Sequence, residues 1–273
     1  MSNASFHHAV ALITGGGTGI GAALAKTLSA AGARVVVADI DGAQAAAVHA
    51  RGEAVEAVTL DVTNAEAVQA LVSDLVARYG ALDFIFNNAG ISVCADARDL
   101  EIAHWRQVID VNLMGVVYGT HAAYQQMVKQ GHGHIVNIAS LAGLVPFPTN
   151  APYAASKHAV VGLSLSMRTE GEALGVKVSA VCPGFIQSNI FTATPFINVK
   201  REAILAAMPF KPVSTYTAAA KILEGVMRNE AIISFPVYAR LMWRLYRLWP
   251  GLLNVLGRQQ IRDLRKVRIE PER

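Results

Sequence analysis

The sequence predicts a three-layer, doubly wound α/β domain around a mainly seven-stranded parallel sheet. Three observations carry that expectation. Short apolar runs alternate with longer stretches of helical periodicity along most of the chain. The runs lack the in–out alternation of a half-solvated strand, so both their faces should be covered, as in parallel sheets. A glycine-rich turn sits directly between the first run and the first helix.

Val10-Ala11-Leu12-Ile13 is the first strand, ended by the glycines of TGGGTGIG. Helical spacing follows through Ile20, Leu24 and Leu28 until Gly32 stops it. Val35 to Ala38 is the second strand, with Asp39 at its end, and Val55 to Leu60 the third. Thr63-Asn64-Ala65-Glu66 reads as a capping box, with the Thr63 hydroxyl and Glu66 carboxylate satisfying helix-start amides. Behind it Val68, Leu71, Val72, Leu75, Val76 and Tyr79 keep period 3.6. Leu82 to Phe86 and Ile135 to Ile138 are further strands, with a long helical region between them. Residues 152–174 read as helix, and Val176 to Val181 and Ile232 to Phe235 as the last strands. No repeat or linker divides the chain, so residues 1–236 are expected as one domain. The irregular apolar segment 185–214 could cover a site, and 237–273 is a basic, aromatic helical extension. Met1 to His8 reads as a short polar leader, without the pattern of a signal peptide.

Composition narrows the function classes. Of 273 residues 53% are hydrophobic and 16% charged, enough for a large core and against disorder. Cys94 and Cys182 stand far apart and match no metal-ligand spacing, so a reducing cytoplasm is the expected setting. Mean hydropathy of +0.35 raises the question of a membrane span. The uncharged stretches 10–25 and 133–156 are broken by glycines and threonines or by three prolines, and neither supplies about 20 apolar residues. Charge is uneven: residues 237–273 hold nine Arg or Lys against three Asp or Glu, leaving −2 for residues 1–236.

The turn after the first strand has a physical use. Its backbone can approach a pyrophosphate, and a helix N-terminus offers free amides there. Gly15, Gly19 and Gly21 supply the small residues, with Thr18 and Ile20 between them. Such a turn alone also serves tight packing. Asp39 adds to it, because the end of the second strand lies beside an adenosine ribose, where a carboxylate accepts hydrogen bonds from its hydroxyls. A 2′-phosphate would meet like charge, and neither Thr18 nor Ile40 offers a cation. Arg34 is at the wrong end of the strand. The cofactor expected is NAD. Asp61-Val62 can meet adenine, and Asn88, Ala89 and Gly90 of NNAG leave room against the sheet edge.

Ser140 follows one strand, Tyr153 comes thirteen residues later and Lys157 four after that, which puts Tyr153 and Lys157 on one helix face. A Tyr–Lys pair at that spacing is common on packed helices. TGGGTGIG, Asp39, NNAG, Asn112, Ser140, YAASK and Pro183-Gly184, in this order and spacing, resemble the short-chain dehydrogenase/reductase family, in its compact single-domain branch. The resemblance covers roughly residues 9–236 and implies a Rossmann fold. It implies that Tyr153 exchanges the proton, Lys157 lowers its pKa and binds ribose, and Ser140 holds the substrate oxygen. Asn112 would connect a water to the lysine. Pro183, Gly184, Ile186 and Ser188 resemble the segment over the nicotinamide, Ser188 standing where the family often has threonine. A homodimer or homotetramer is also implied.

Metal-free chemistry is expected: His132 and His134 are close in sequence but lack a nearby acid or cysteine. Leu141, Leu144, Val145 and Phe147, with Phe185, Ile190, Phe191, Phe196 and Ile197, are candidate substrate contacts and favour an apolar alcohol or ketone. In the tail, Leu241, Met242, Leu245, Leu248 and Trp249 fall on one helical face, with Arg240, Arg244 and Arg247 largely on another. That pattern suits a subunit interface, a pocket cover or peripheral contact with a membrane surface. Nucleic acid is not an expected partner, as no recognition module accompanies the charge.

Overall fold

A computed structural model describes residues 6–49, 55–206 and 210–269; the side chains of His49, Phe191, Leu252, Leu253 and Leu256 lie outside that description. Seven parallel strands are β1 (Val10–Thr14), β2 (Arg34–Asp39), β3 (Val55–Thr59), β4 (Phe84–Asn87), β5 (Gly133–Ile138), β6 (Val176–Pro183) and β7 (Ile232–Phe235). They lie in the order β3-β2-β1-β4-β5-β6-β7, so the chain reverses direction across the sheet between β1 and β4. Ligands of doubly wound sheets bind at such a reversal, outside the strand C-termini.

Helices cover both faces: α1 (Gly19–Ala30), α2 (Gly42–His49), α3 (Ala65–Tyr79), α4 (Ile102–Ile109), α5 (Gly115–Gln130), α6 (Ala151–Gly171) and α9 (Thr215–Met227). The covering segment contributes the short α7 (Ile190–Ala193) and α8 (Arg201–Ala206), and the tail α10 (Val237–Leu248) and α11 (Pro250–Lys266). Neighbouring strand residues feed two separate cores. Ile13, Val37, Phe86 and Val136 pack with Leu24, Leu28 and Ile222 of α1 and α9. Leu12, Val36, Ile85 and Ile135 pack with Leu75 and Met127 of α3 and α5. Such burial on both faces is why the runs show no alternation; each buried Leu or Ile contributes roughly 1.5–3 kcal/mol.

Three local expectations need correction. β4 starts at Phe84, because Gln130 takes both backbone groups of Leu82, accepting from its N–H at 3.0 Å and donating to its carbonyl at 3.1 Å. The α3 cap is Asn64, whose Oδ1 accepts from Ala67 N at 2.9 Å, while Thr63 donates its hydroxyl to Asp61 at 2.8 Å. Residues 1–5 of the polar leader lie outside the described residues, and Phe6 is core, its ring 5.3 Å from that of Phe84.

The covering segment is pinned at its base and middle. Val213 N donates to Phe185 O at 2.9 Å and Gln187 N to Val213 O at 2.8 Å. Further along, Cys94 N in the loop after β4 donates to Pro195 O at 3.0 Å and Ile197 N donates to Cys94 O at 2.9 Å. The face assigned to α10 is divided. Tyr238, Ala239, Met242, Trp243 and Tyr246 turn inward to a third core, formed with Val116, Leu141, Val160, Ala180 and Cys182, whereas Leu241, Leu248 and Trp249 stay exposed. The aromatic residues offer more area to the body, and they set the rotation of the helix.

Candidate active site

The turn after β1 is shaped by what glycine lacks. Gly15 has φ +59°, and a Cβ there would lie 2.7 Å from the Ala89 Cα. Asn88 ties the two strand ends together, donating through Nδ2 to Thr14 O at 3.1 Å and Gly15 O at 2.8 Å. Thr18 begins α1 without a side-chain cap, and the first turn holds no acid, so the start of the helix presents uncapped amides and its positive dipole end. Gly19 and Ile20 are in the cavity wall; Gly21 is not. A Cβ on Gly21 would press on Asn88 Nδ2 at 2.7 Å, so it is a packing glycine beneath the turn.

Asp39 is aimed by backbone: Oδ2 accepts from Gly17 N at 2.9 Å and Oδ1 from Asp41 N at 3.2 Å. A side chain at Gly17 would displace that carboxylate, a requirement the sequence reading missed. Ile40 is exposed beside it, and Arg34 stands at the other end of β2, its guanidinium 4.4 Å from the Tyr79 ring centroid. Asp61, Val62, Asn88, Ala89 and Gly90 complete this end of the cavity.

Beyond the end of β5, Ser140 opens a single turn and accepts from Ala142 N at 3.1 Å. Its hydroxyl is also hydrogen-bonded to the Tyr153 phenol. Tyr153 stands in the first turn of α6, and Lys157 one turn on brings its Nζ to 5.6 Å from the Tyr153 ring centroid. Lys157 is buried and donates to Ile138 O at 2.8 Å. Burial pulls its pKa down to about 8 and pushes the Tyr153 phenol up, against the Ser140 hydrogen bond. The protein alone therefore does not acidify the phenol, contrary to an argument from the lysine charge by itself. Burial opposes it.

Asn112 sits behind this wall in a wide helical turn, Asp110–Met114, between α4 and α5. Its Oδ1 accepts from Ile91 N at 2.8 Å, and its Nδ2 donates to Ile91 O at 2.9 Å and Ser156 Oγ at 3.2 Å. The gap that connects it to Lys157 is at Gly90, where an added Cβ would be 3.3 Å from Asn112 Oδ1 and 3.4 Å from Lys157 Nζ.

One cavity of about 1660 Å³ joins the glycine turn to Ser140, Tyr153 and Lys157. Pro183, Gly184, Ile186 and Ser188 also border it, and Ser188 Cβ approaches within 3.3 Å of the position a Gly19 Cβ would take. Leu141, Val145, Phe147, Phe185, Ile190 and Phe196 are in the wall. Leu144 is drawn into the third core and Ile197 is outside the wall; the side chain of Phe191 lies outside the described residues. His134 points elsewhere, its Nε2 2.9 Å from Ser179 Oγ, and burial drives its pKa down to about 3.

The tail acts as a pocket cover, one of the three roles its pattern suits: the far wall is made by Met242 and Leu245 of α10 and by Ile261, Leu264 and Val267 further on, which the sequence did not single out. Tyr238 braces the covering segment, its hydroxyl accepting from Phe185 N at 2.7 Å and its ring stacked 3.9 Å from Phe210. Two ion pairs fasten α11. Arg265 Nε donates to Asp96 at 2.9 Å, and Arg268 grips Asp99 through two bonds of 2.8 and 2.7 Å. Burial alone would raise the Asp96 carboxyl, but Arg98 and Arg265 hold it well below the carboxylate range. Arg268 does the same for Asp99. The signal was a matched spacing of three, Asp96/Asp99 and Arg265/Arg268, which no local pattern connects.

A family model described as short chain dehydrogenase matches residues 9–195. The chain belongs to the short-chain dehydrogenase/reductase family. It is similar to the "Probable oxidoreductase EphD" of Mycobacterium tuberculosis, at 33% identity over 263 residues, covering 91% of this chain and 44% of that protein. The chain thus spans less than half the length of these mycobacterial relatives. An uncharacterised oxidoreductase of Staphylococcus aureus is 36% identical over 186 residues, 67% of this chain and 80% of that one. Among solved structures, a short-chain dehydrogenase/reductase of Burkholderia phymatum in complex with NAD superposes with a TM-score of 0.82 at 29% identity, covering 91% of this chain and 96% of that one. A short-chain dehydrogenase from Streptomyces avermitilis gives 0.80 at 26% identity, with 93% and 97% covered. The doubly wound sheet and the membership of this family follow from the matches together.

Proposed function

We propose that this short-chain dehydrogenase/reductase uses NAD to interconvert an apolar secondary alcohol and its ketone, with Tyr153 as the general acid and base. The observation that carries the reading is one cavity that holds both the uncapped start of α1 and the Ser140–Tyr153–Lys157 group. The glycine turn fits a dinucleotide, since a Cβ at Gly15 would close it. When bound, NAD supplies the hydride acceptor, or in the reverse direction the donor.

The chain's own residues do the rest. The α1 amides at Gly19 and Ile20 hold the pyrophosphate, and Asp39 accepts from the ribose hydroxyls and repels a 2′-phosphate. Asp61 and Val62 border adenine, while Asn88, Ala89 and Gly90 keep the sheet edge clear. Pro183, Gly184, Ile186 and Ser188 cover the nicotinamide end. Ser140 fixes the substrate oxygen against the Tyr153 hydroxyl, which gives or takes the proton. With a pKa of about 8, Lys157 is still mostly protonated at pH 7 and can counter the burial of the phenol. At 5.6 Å from the ring centroid and an effective dielectric of about 20, that cation supplies about 3 kcal/mol, which offsets burial rather than acidifying the phenol by itself. Asn112, beyond the gap at Gly90, positions the path by which Lys157 exchanges protons with solvent.

Residues 185–214 act as a substrate lid on a single domain, and 237–273 belong to it. Cys94 and Cys182 are buried and free, which suits a reducing cytoplasm. Assembly into a homodimer or homotetramer is supported by the outward stripe of α6, where Ala155, Gly162, Ser166 and Thr169 are small and exposed.

The test is a screen of apolar alcohols and ketones that follows NADH absorbance, with NADPH in parallel. Turnover with NADH, lost in Tyr153→Phe while NADH still binds, is the expected result. A strong preference for NADPH overturns the reading of Asp39. NADH binding with no turnover of any substrate favours a non-catalytic sensor.

A further inference from the structure

The tail hairpin has two faces, and only one of them is used by the cavity. Met242, Leu245, Ile261 and Leu264 look inward. The outward side carries some of the most exposed apolar residues of the protein: Val237 at 68%, Leu241 at 58%, Leu248 at 81%, Trp249 at 71% and Val255 at 53%. On α10, Val237, Leu241 and Leu248 fall in one stripe with Arg244, and Arg247 flanks it. At the bend, residues 248–257 run LWPGLLNVLG without a charge.

Charge says what could meet this face. Residues 237–266 contain seven Arg or Lys and a single acid, Asp263, which is already paired with Lys266 at 2.7 Å. Arg244 and Arg247 are exposed, lie outside the cavity wall and have no carboxylate partner among the described residues. A second copy placed on the same face would bring the unpaired Arg244 and Arg247 of each copy together, and like charge at close range opposes that assembly. An anionic bilayer surface matches both features. It takes Leu and Trp at the headgroup boundary, and it draws arginine at about 1 kcal/mol per residue near the surface. No helix among the described residues is long and apolar enough to cross a membrane, so the contact would lie in the interface plane.

We propose that the α10–α11 hairpin docks this protein on anionic membrane surfaces, with Leu248 and Trp249 entering the headgroup–acyl boundary and Arg244 and Arg247 pairing with lipid phosphates. The bend leads, and the arginines settle behind it. An apolar alcohol or ketone concentrates in that same layer, on the far side of the helices that wall the cavity.

The test uses the full chain and does not depend on turnover. Vesicles of phosphatidylcholine, with and without phosphatidylglycerol, are sedimented with wild type, Leu248→Asp/Trp249→Asp and Arg244→Glu/Arg247→Glu, folding being checked by circular dichroism. Wild type should bind anionic vesicles on the order of tenfold better than neutral ones, and each double variant should lose about that factor. No binding of wild type, or equal binding by the variants, overturns the proposal. So does a dimer, measured by light scattering, that the Leu248→Asp/Trp249→Asp variant dissociates, since the face would then be covered by another copy.

Discussion

The two ends of the cavity are built in different ways. The dinucleotide end is backbone: a left-handed Gly15, an uncapped helix start and a carboxylate aimed by two amides. The substrate end is side chain, assembled from the segment after β6, α10 and α11 and fastened by Arg265 and Arg268. The first tolerates almost no change of residue size, and the second can be loosened without touching the sheet. Tyr153 stands where the two meet, so its loss separates them most sharply. Tyr153→Phe should lower kcat by about 10²–10⁴ while the Kd for NADH stays near wild type. A parallel loss of NADH affinity would show that the ends are not independent.

The next two effects probe each end alone. Gly15→Val should destabilise the fold by roughly 3 kcal/mol through its positive φ and the Ala89 contact, and abolish NADH binding; denaturant titration and fluorescence read the two. Arg268→Ala leaves the half-buried Asp99 with only the Asn198 hydrogen bond, and losing such charge-assisted bonds costs about 1–3 kcal/mol. Because the loss is confined to the latch, the expected result is faster proteolysis between residues 249 and 269 and a higher KM, with NADH binding retained. Whole-protein unfolding at the same denaturant midpoint for both variants would erase the distinction.

Smaller effects come from titration. Lys157 has its pKa lowered from 10.5 to about 8 by burial, so the unfolded chain binds the extra proton between those values. Stability should rise as pH climbs from about 8 to about 10.5, and below about 8 the folded state carries the whole penalty. Lys157→Met removes it and leaves Ile138 O without a donor. The net expectation is a cofactor-free protein more stable by about 2 kcal/mol at pH 7 and inactive. Asp96 and Asp99 have lowered pKa values, so their contribution is present above the ordinary carboxylate range and disappears as pH falls through the folded values. Proteolysis of α11 should therefore be constant between pH 5 and 9 and accelerate only in stronger acid.

The same contrast explains what could be read in the sequence. The glycine turn, Asp39 and the Tyr153–Lys157 pair are set by strand ends and helix period, which are local, and the structure brings them to one cavity. Gly21 looked like a turn residue and is a packing one, because the closeness of Asn88 is a tertiary fact. Leu82 reads as strand until Gln130, 48 positions on, takes its hydrogen bonds. The split of α10 depended on which side chains the body had room for. The latch that holds the far wall was hidden by distance along the chain, since Arg265 and Arg268 each lie 169 positions from their aspartates.

That separation has a consequence for biosynthesis. When residue 240 has cleared the ribosome every strand is already available, yet Asp96 and Asp99 still lack their arginines. At about 5–20 residues per second the nascent protein spends a few seconds with a greasy hollow open to solvent. A chaperone that shields apolar surface has its opportunity then, and slow codons upstream of Arg268 would lengthen it.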